Sequence, residues 1–133
     1  MSQKIKSEVL GVKAPKEVCT DKKCPFHGQI AVKKEFFTGT IIKKDVSHSA
    51  TLEWSRSVYI PKYERYEYKR SRMRAHNPAC INAQIGQKVL VAKTRPLSKM
   101  KDHVILKIID DEEVVKKVSK KETQQNEENE SVK

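Results

Sequence analysis

Long apolar runs, cysteine and glycine are all scarce in this sequence, and each shortage removes a class of protein. No stretch of about 18 apolar residues occurs, so no transmembrane helix is expected, and no apolar segment follows Met1 in the form of a secretory signal. A basic amphipathic helix suited to an anionic lipid surface is also missing. These absences lead to the expectation of a soluble, intracellular chain with no membrane partner. Three cysteines, an odd number, argue against a disulfide framework and for reduced thiols or a metal site. The four glycines form no phosphate-cradling loop. Cys and His are present, but without an orienting third residue, an oxyanion motif or a cofactor loop around them. No catalytic residue and no small-molecule substrate is therefore expected.

What the chain does have is positive charge. It carries 28 Lys and Arg against 17 Asp and Glu, a formal net charge of +11 over 133 residues. The final 24 residues, 110–133, hold eight acids and five bases, so the preceding 109 carry +14. A body this basic calls for a polyanionic partner, and nucleic acid fits better than lipid. The length allows one core with flanking arms, not two cores of ordinary size.

Periodicity places that core in residues 29–109, after an N-terminal arm over 1–28 that mixes Lys, Pro, Cys and Gly without a repeat. Phe37, Gly39 and Ile41 alternate with Thr38 and Thr40 as a strand requires. Ala50, Leu52, Trp54, Val58 and Ile60 share one parity and polar residues the other; Arg56 breaks the inward face, which suggests a bulge or the rim of a barrel. Pro61 ends easy ladder pairing, and residues 62–83 read as an extended strand with a projecting loop. Val89 to Ala92 and Val104 to Ile109 supply the last two strands. Four or five short strands with no helix between them suit an all-β, five-stranded Greek-key barrel of the OB type. In the charged tail over 110–133, the spacing of Val114, Val115 and Val118 predicts a short helix, followed after Glu122 by a polar run too poor in apolar residues to order itself.

Three groups of residues carry the functional argument. The first is the segment Lys62 to His76, where Lys62, Arg65, Lys69, Arg70, Arg72 and Arg74 interleave with Tyr63, Tyr66 and Tyr68. Cations neutralise phosphates, the planar Arg fork reads structured backbones, and Tyr stacks on bases or bonds a 2′-hydroxyl. The bland counterpart is a solvated charged strand whose rings pack on the barrel. The second is the loop Arg95-Pro96-Leu97-Ser98-Lys99-Met100-Lys101, either an ordinary charged turn or a shaped phosphate contact. The third is Cys19, Cys24 and His27, with Cys80 as a fourth ligand from far along the chain. Thiolate and imidazole suit tetrahedral zinc, while small thiols filling loop cavities are the plain alternative. His48, His76 and His103 have no ligand-spaced partners and read as loop or packing residues.

Several motifs, in order, resemble the small-subunit ribosomal protein seventeen family, particularly its archaeal and eukaryotic branch. They are Cys24-Pro25-Phe26-His27-Gly28, Gly39-Thr40-Ile41-Ile42, Tyr59-Ile60-Pro61-Lys62-Tyr63-Glu64-Arg65-Tyr66-Glu67, Ala75-His76-Asn77-Pro78-Ala79-Cys80, Ile85-Gly86-Gln87-Lys88-Val89 and Arg95-Pro96-Leu97-Ser98-Lys99. The similarity runs from about Pro15 to Ile109. It implies an OB-fold that binds 16S-type ribosomal RNA of the 5′ and central domains early in small-subunit assembly. It also implies neighbouring ribosomal proteins as partners, a cytoplasmic location on the small subunit, and no enzymatic activity. By the same resemblance Lys62, Tyr63, Arg65, Tyr66, Lys69, Arg70, Arg72 and Arg74 lie on an extension toward RNA. Arg95, Ser98, Lys99 and Lys101 lie on a second RNA-facing loop. The cysteine arm packs near Asn77 to Ile81, which strengthens the zinc reading of Cys19, Cys24, His27 and Cys80. One departure is Asp45-Val46-Ser47-His48-Ser49, where the family has a lysine-rich turn. Other readings are a free OB-fold that stacks single strands, and a zinc-dependent protein-interaction module whose basic patch takes an acidic partner.

Overall fold

The computed structural model describes residues 5–109, and the helix and polar run expected in the tail lie outside them. Two short strands come first, β1 (Glu8–Val9) and β2 (Val12–Lys13), turned about Leu10 and Gly11 with both φ angles positive. That is the geometry of a two-residue hairpin turn. Five longer strands follow: β3 (Val32–Asp45), β4 (Ser49–Ile60), β5 (Arg65–His76), β6 (Lys88–Thr94) and β7 (Lys101–Ile109).

The five strands close into a barrel in the order β3-β4-β5-β7-β6, with β6 returning to β3. All neighbours are antiparallel except β5 and β7, which run parallel. A parallel pair needs a crossover, and residues 77–100, including β6, provide it. This is the partly Greek-key closure of the OB-fold.

Period-two alternation explains what fills it. Ile41, Ala50, Leu52, Ala75, Ala83, Val89, Val91 and Ile105 form the interior. Ile41, Leu52 and Ile105 are essentially sealed, and burying each contributes about 1.5–3 kcal/mol. The opposite parity of the last strands is buried too. Ala92, Val104 and Leu106 face outward and are covered by Val12, Cys24 and Phe26 of the arm, together with Cys80. Strand β7 therefore has a core on both faces, which is why its sequence reads as a nearly continuous apolar run.

The structure differs from the sequence reading in three places. The strands β3, β4 and β5 are not short but 14, 12 and 12 residues long, because β4 and β5 continue together past the barrel. Arg56 marks no bulge: β4 and β5 pair without interruption from Ser49↔His76 to Ile60↔Arg65. The register shift lies instead in β3, between Ile41 and Lys43. Phe37 shares the inward parity of Ile41 yet is 40% exposed, since it packs at a rim against Trp54 and His103, with ring centroids 6.2 and 5.5 Å away.

Candidate nucleic-acid interface

Once β4 and β5 leave the barrel, neither face of the hairpin has a core to cover, and the residues along it are exposed from Pro61 to Arg70. The unbroken register then sorts the candidate residues by parity. Tyr66, Tyr68, Arg70, Arg72 and Arg74 fall on one face, opposite Tyr59, Ser57, Ser55, Glu53 and Thr51. Successive members stand about 6.8 Å apart along the strand. Arg65 and Lys69 lie on the other face, opposite Ile60 and Arg56. Lys62 and Tyr63 occupy the four-residue turn at the tip, where Tyr63 N–H donates to the Ile60 carbonyl at 3.3 Å and Glu64 has φ +50°.

The tyrosines are not packed away. Tyr66 and Tyr68 are 70% and 81% exposed, and Tyr59 and Tyr66 form a tilted cross-strand pair with centroids 5.3 Å apart. Lys62 Nζ sits 5.4 Å from the Tyr63 ring centre. Half-buried Glu53 holds the arginine row in place, bonding Arg72 Nε at 2.8 Å and standing 3.9 Å from Arg70 Nε. Exposed pairs of this kind add little stability.

Sequence reasoning missed Arg56. It is exposed and lies directly opposite Lys69, a like-charge cross-strand pair of the type that weakens a sheet. The break it makes in the apolar alternation was the available signal.

The loop between β6 and β7 adjoins the hairpin base. Its Leu97 is buried, Leu97 N–H donates to the Lys101 carbonyl at 2.7 Å, and Thr94 Oγ1 donates to the Asp102 carbonyl at 3.2 Å. Arg95, Ser98 and Lys99 remain exposed. Lys101 is half-buried and donates to Ser49 Oγ at 2.8 Å. Burial holds its amine below the ordinary lysine range, with repulsion from Lys23 acting the same way and Asp21 opposing. Between hairpin and loop lies a cleft of about 510 Å³ lined by Thr51, Arg72, Met73, Arg74, Lys99, Met100 and Asp102. Two regions separated in sequence thus share one basic groove.

The arm touches the loop and the end of β5 through Lys23 and Asp21. Its cysteines meet the fourth across the fold: Cys19, Cys24, His27 and Cys80 have their ligand atoms within 4.8 Å of one another. His27 Nδ1 is 3.4 Å from the sulfurs of both Cys19 and Cys24, and the sulfurs of Cys24 and Cys80 are 3.6 Å apart. A tetrahedral ion with Zn–S near 2.3 Å and Zn–N near 2.05 Å sets S···S at about 3.8 Å and S···N at about 3.5 Å. The donor set and its spacing both fit zinc, and all three cysteines are free thiols. Burial pushes the Cys24 thiol up, and burial followed by repulsion from Cys24 raises Cys80 further. Thiolates this close are stable only with a cation among them.

Local backbone makes the cluster possible. Gly28 N–H donates to the Cys24 carbonyl at 2.9 Å, closing a turn that points Cys24 and His27 the same way. A Cβ at Gly28 would lie 2.6 Å from that carbonyl oxygen and closer still to that of Lys22. Only glycine fits. Asp21, between the first two cysteines, accepts from His76 Nε2 at 2.6 Å and from Lys23 N–H at 2.9 Å. Burial alone would raise the Asp21 carboxyl; these bonds outweigh it and hold the group below its usual value. Burial likewise keeps His76 below the ordinary histidine value, against the pull of Asp21. His48, His76 and His103 all lie outside the cysteine cluster.

The family model described as Ribosomal protein S17 matches residues 39–107. Small ribosomal subunit protein uS17 of Halobacterium salinarum is 41% identical over 101 residues, 76% of this chain and 93% of the relative. The proteins of the same name from Methanopyrus kandleri and Nanoarchaeum equitans are 43% and 46% identical, over 76% and 71% of this chain and 86% and 85% of theirs.

Proposed function

This chain belongs to the ribosomal protein S17 family, and from that premise we propose that it is a structural, non-enzymatic component of the small ribosomal subunit that holds folded ribosomal RNA. The observation that carries this is the single outward row Tyr66, Tyr68, Arg70, Arg72 and Arg74, running down the hairpin into the cleft that Lys99 shares. A row of cations at strand spacing neutralises successive phosphates. The two rings at its outer end stack on unpaired bases or bond the sugar edge.

Arg65, Lys69 and Arg56 give the reverse face its own charge, so the hairpin is gripped from both sides, with Lys62 and Tyr63 meeting RNA at the tip. Arg95, Ser98 and Lys99 form the second contact. Lys101, bonded to Ser49, supports the loop from behind. A free single-strand binder would present its rings on the barrel wall, whereas Tyr59, Tyr63, Tyr66 and Tyr68 are all on the hairpin. Residues outside these rows are available to neighbouring ribosomal proteins, and the working location is the cytoplasmic ribosome. The stabilised RNA is the 5′ and central domains of the small-subunit molecule. Cys19, Cys24, His27 and Cys80 join this reading as the seat of a structural zinc ion.

The test is a binding comparison between a fragment of small-subunit ribosomal RNA and random RNA of equal length at matched salt. The fragment binds more tightly. Replacing Arg70, Arg72 and Arg74 by Ala lowers the steepness of the salt dependence by about three, one per phosphate contact. Equal affinity for the two RNAs rules the proposal out.

A further inference from the structure

The cysteine cluster and the basic groove are joined by two short tethers that start between the zinc-spaced cysteines. Asp21 binds His76, the last residue of β5, through the 2.6 Å bond to Nε2. Lys23 reaches the Arg95–Lys101 loop, its Nζ donating to the Leu97 carbonyl at 3.3 Å. Asp21 and Lys23 are themselves fixed together by the bond from Lys23 N–H to the Asp21 carboxylate, and Cys24 N–H adds one to the Asp21 carbonyl at 3.2 Å.

We propose that a zinc ion held by Cys19, Cys24, His27 and Cys80 acts as a brace for the RNA-binding groove, fixing the 19–27 segment so that Lys23 and Asp21 hold the loop and the base of the hairpin at their working separation. This rests on the RNA-binding reading above and adds metal dependence to it. The physical reason is the length of the arm. Residues 14–31 contain no strand, and from Cys19 to Cys24 the backbone bond is the local turn of Cys24 N–H onto the Asp21 carbonyl. Burial of Cys24 and Phe26 anchors the middle of the arm, but Cys19 is only half-buried and the turn from Cys19 to Cys24 carries both tethers. Without an ion, the sulfur contacts that close this turn onto Cys80 are weak hydrogen bonds. With one, they become metal–ligand bonds that fix four residues at once. The loop it supports has few anchors of its own: buried Leu97, its two bonds to the Lys101 carbonyl, and the flanking Thr94. Loss of the brace lets Arg95, Ser98 and Lys99 spread over more positions, and each ordering step is then made at the expense of RNA affinity.

The experiment uses the full-length protein, purified without added metal and then treated with a strong chelator. Elemental analysis should find one zinc per chain before treatment, and cobalt substitution should give the intense d–d bands of a tetrahedral, thiolate-rich site. Affinity for the small-subunit RNA fragment should fall about three- to tenfold on chelation, in the range that coupled contacts contribute, and return when zinc is restored. Lys23→Met keeps the ion and the Asp21–His76 tether, so it should retain zinc, bind RNA more weakly than the parent, and lose less affinity on chelation than the parent does. The pair Arg70→Ala and Arg72→Ala, away from the tether, should keep the full metal effect. Protein that carries no zinc, or a Cys24–Cys80 disulfide in its place, overturns the ion. Zinc-loaded protein whose affinity is unchanged by chelation, or Lys23→Met that binds RNA as the parent does, overturns the brace. Equal binding to random RNA with zinc present instead overturns the RNA reading on which the brace rests.

Discussion

Arg56 and Lys69 show how a single cross-strand pair can be set against stability. They face each other where cations repel, on a hairpin with no core beneath them to offset the cost. Lys69 has partial relief from Glu67 at 3.3 Å, an exposed pair of little worth. Arg56→Thr should therefore raise stability by about 0.2–1 kcal/mol, seen as a higher melting temperature, and at the same time weaken RNA binding. A variant that is both less stable and equally tight would contradict this account of the pair. Gly28→Ala works in the other direction: its Cβ meets two backbone carbonyls that cannot move aside, so destabilisation of about 1–3 kcal/mol or more is expected, together with lost zinc, by thermal melting and metal analysis. At this scale the sequence listed candidate side chains without their orientation. Residues 62–74 read as one patch, and only a register reaching Ile60↔Arg65 divides Arg70, Arg72 and Arg74 from Arg65 and Lys69. Lys101 looked equivalent to Lys99; nothing in the local pattern indicated that Ser49, about 50 positions earlier, would take its amine.

The elements tell a similar story about what local patterns carry. Alternation located β3, β4, β6 and β7, because each has an apolar side in the barrel or beneath the arm. It followed β4 from Ala50 to Ile60 but gave no such reading of β5, whose outer part pairs with β4, buries little and leaves no apolar rhythm to read. The two-residue strands β1 and β2 are too short to have a period at all. Cys80 could be named as the fourth member of the cysteine cluster by residue type but not placed by spacing, because Cys24 and Cys80 are 56 residues apart and only the closed barrel brings them together. The division of labour between barrel and hairpin yields a direct prediction. Replacing residues 55–70 with Asn-Gly joins Trp54 to Ser71, an existing cross-strand pair, through a turn that hairpins favour. The interior residues are untouched, so melting temperature should shift by only a few degrees, while RNA affinity falls by at least about tenfold, as expected when several phosphate contacts go together. Collapse of the fold on this replacement would show that the hairpin is part of the core.

For the whole molecule, charge and topology act together. A net +14 over residues 1–109 draws the protein to any polyanion, and that attraction alone gives association without selection. Selection comes from shape: a projecting hairpin charged on both faces, a loop beside its base, and an arm that ties both to the barrel wall. On the proposed function, such a protein recognises a folded junction that presents phosphates at several fixed places, and single strands satisfy only part of it. High salt weakens the general attraction more than a set of contacts that must all release at once. The measurement that tests this most directly is sedimentation of the full-length protein with small ribosomal subunits after a high-salt wash. The protein should remain in the small-subunit fraction, and the form lacking residues 55–70 should be released. Recovery of the intact protein at the top of the gradient, free of subunits, would contradict the claim that it is a built-in, RNA-holding part of that particle.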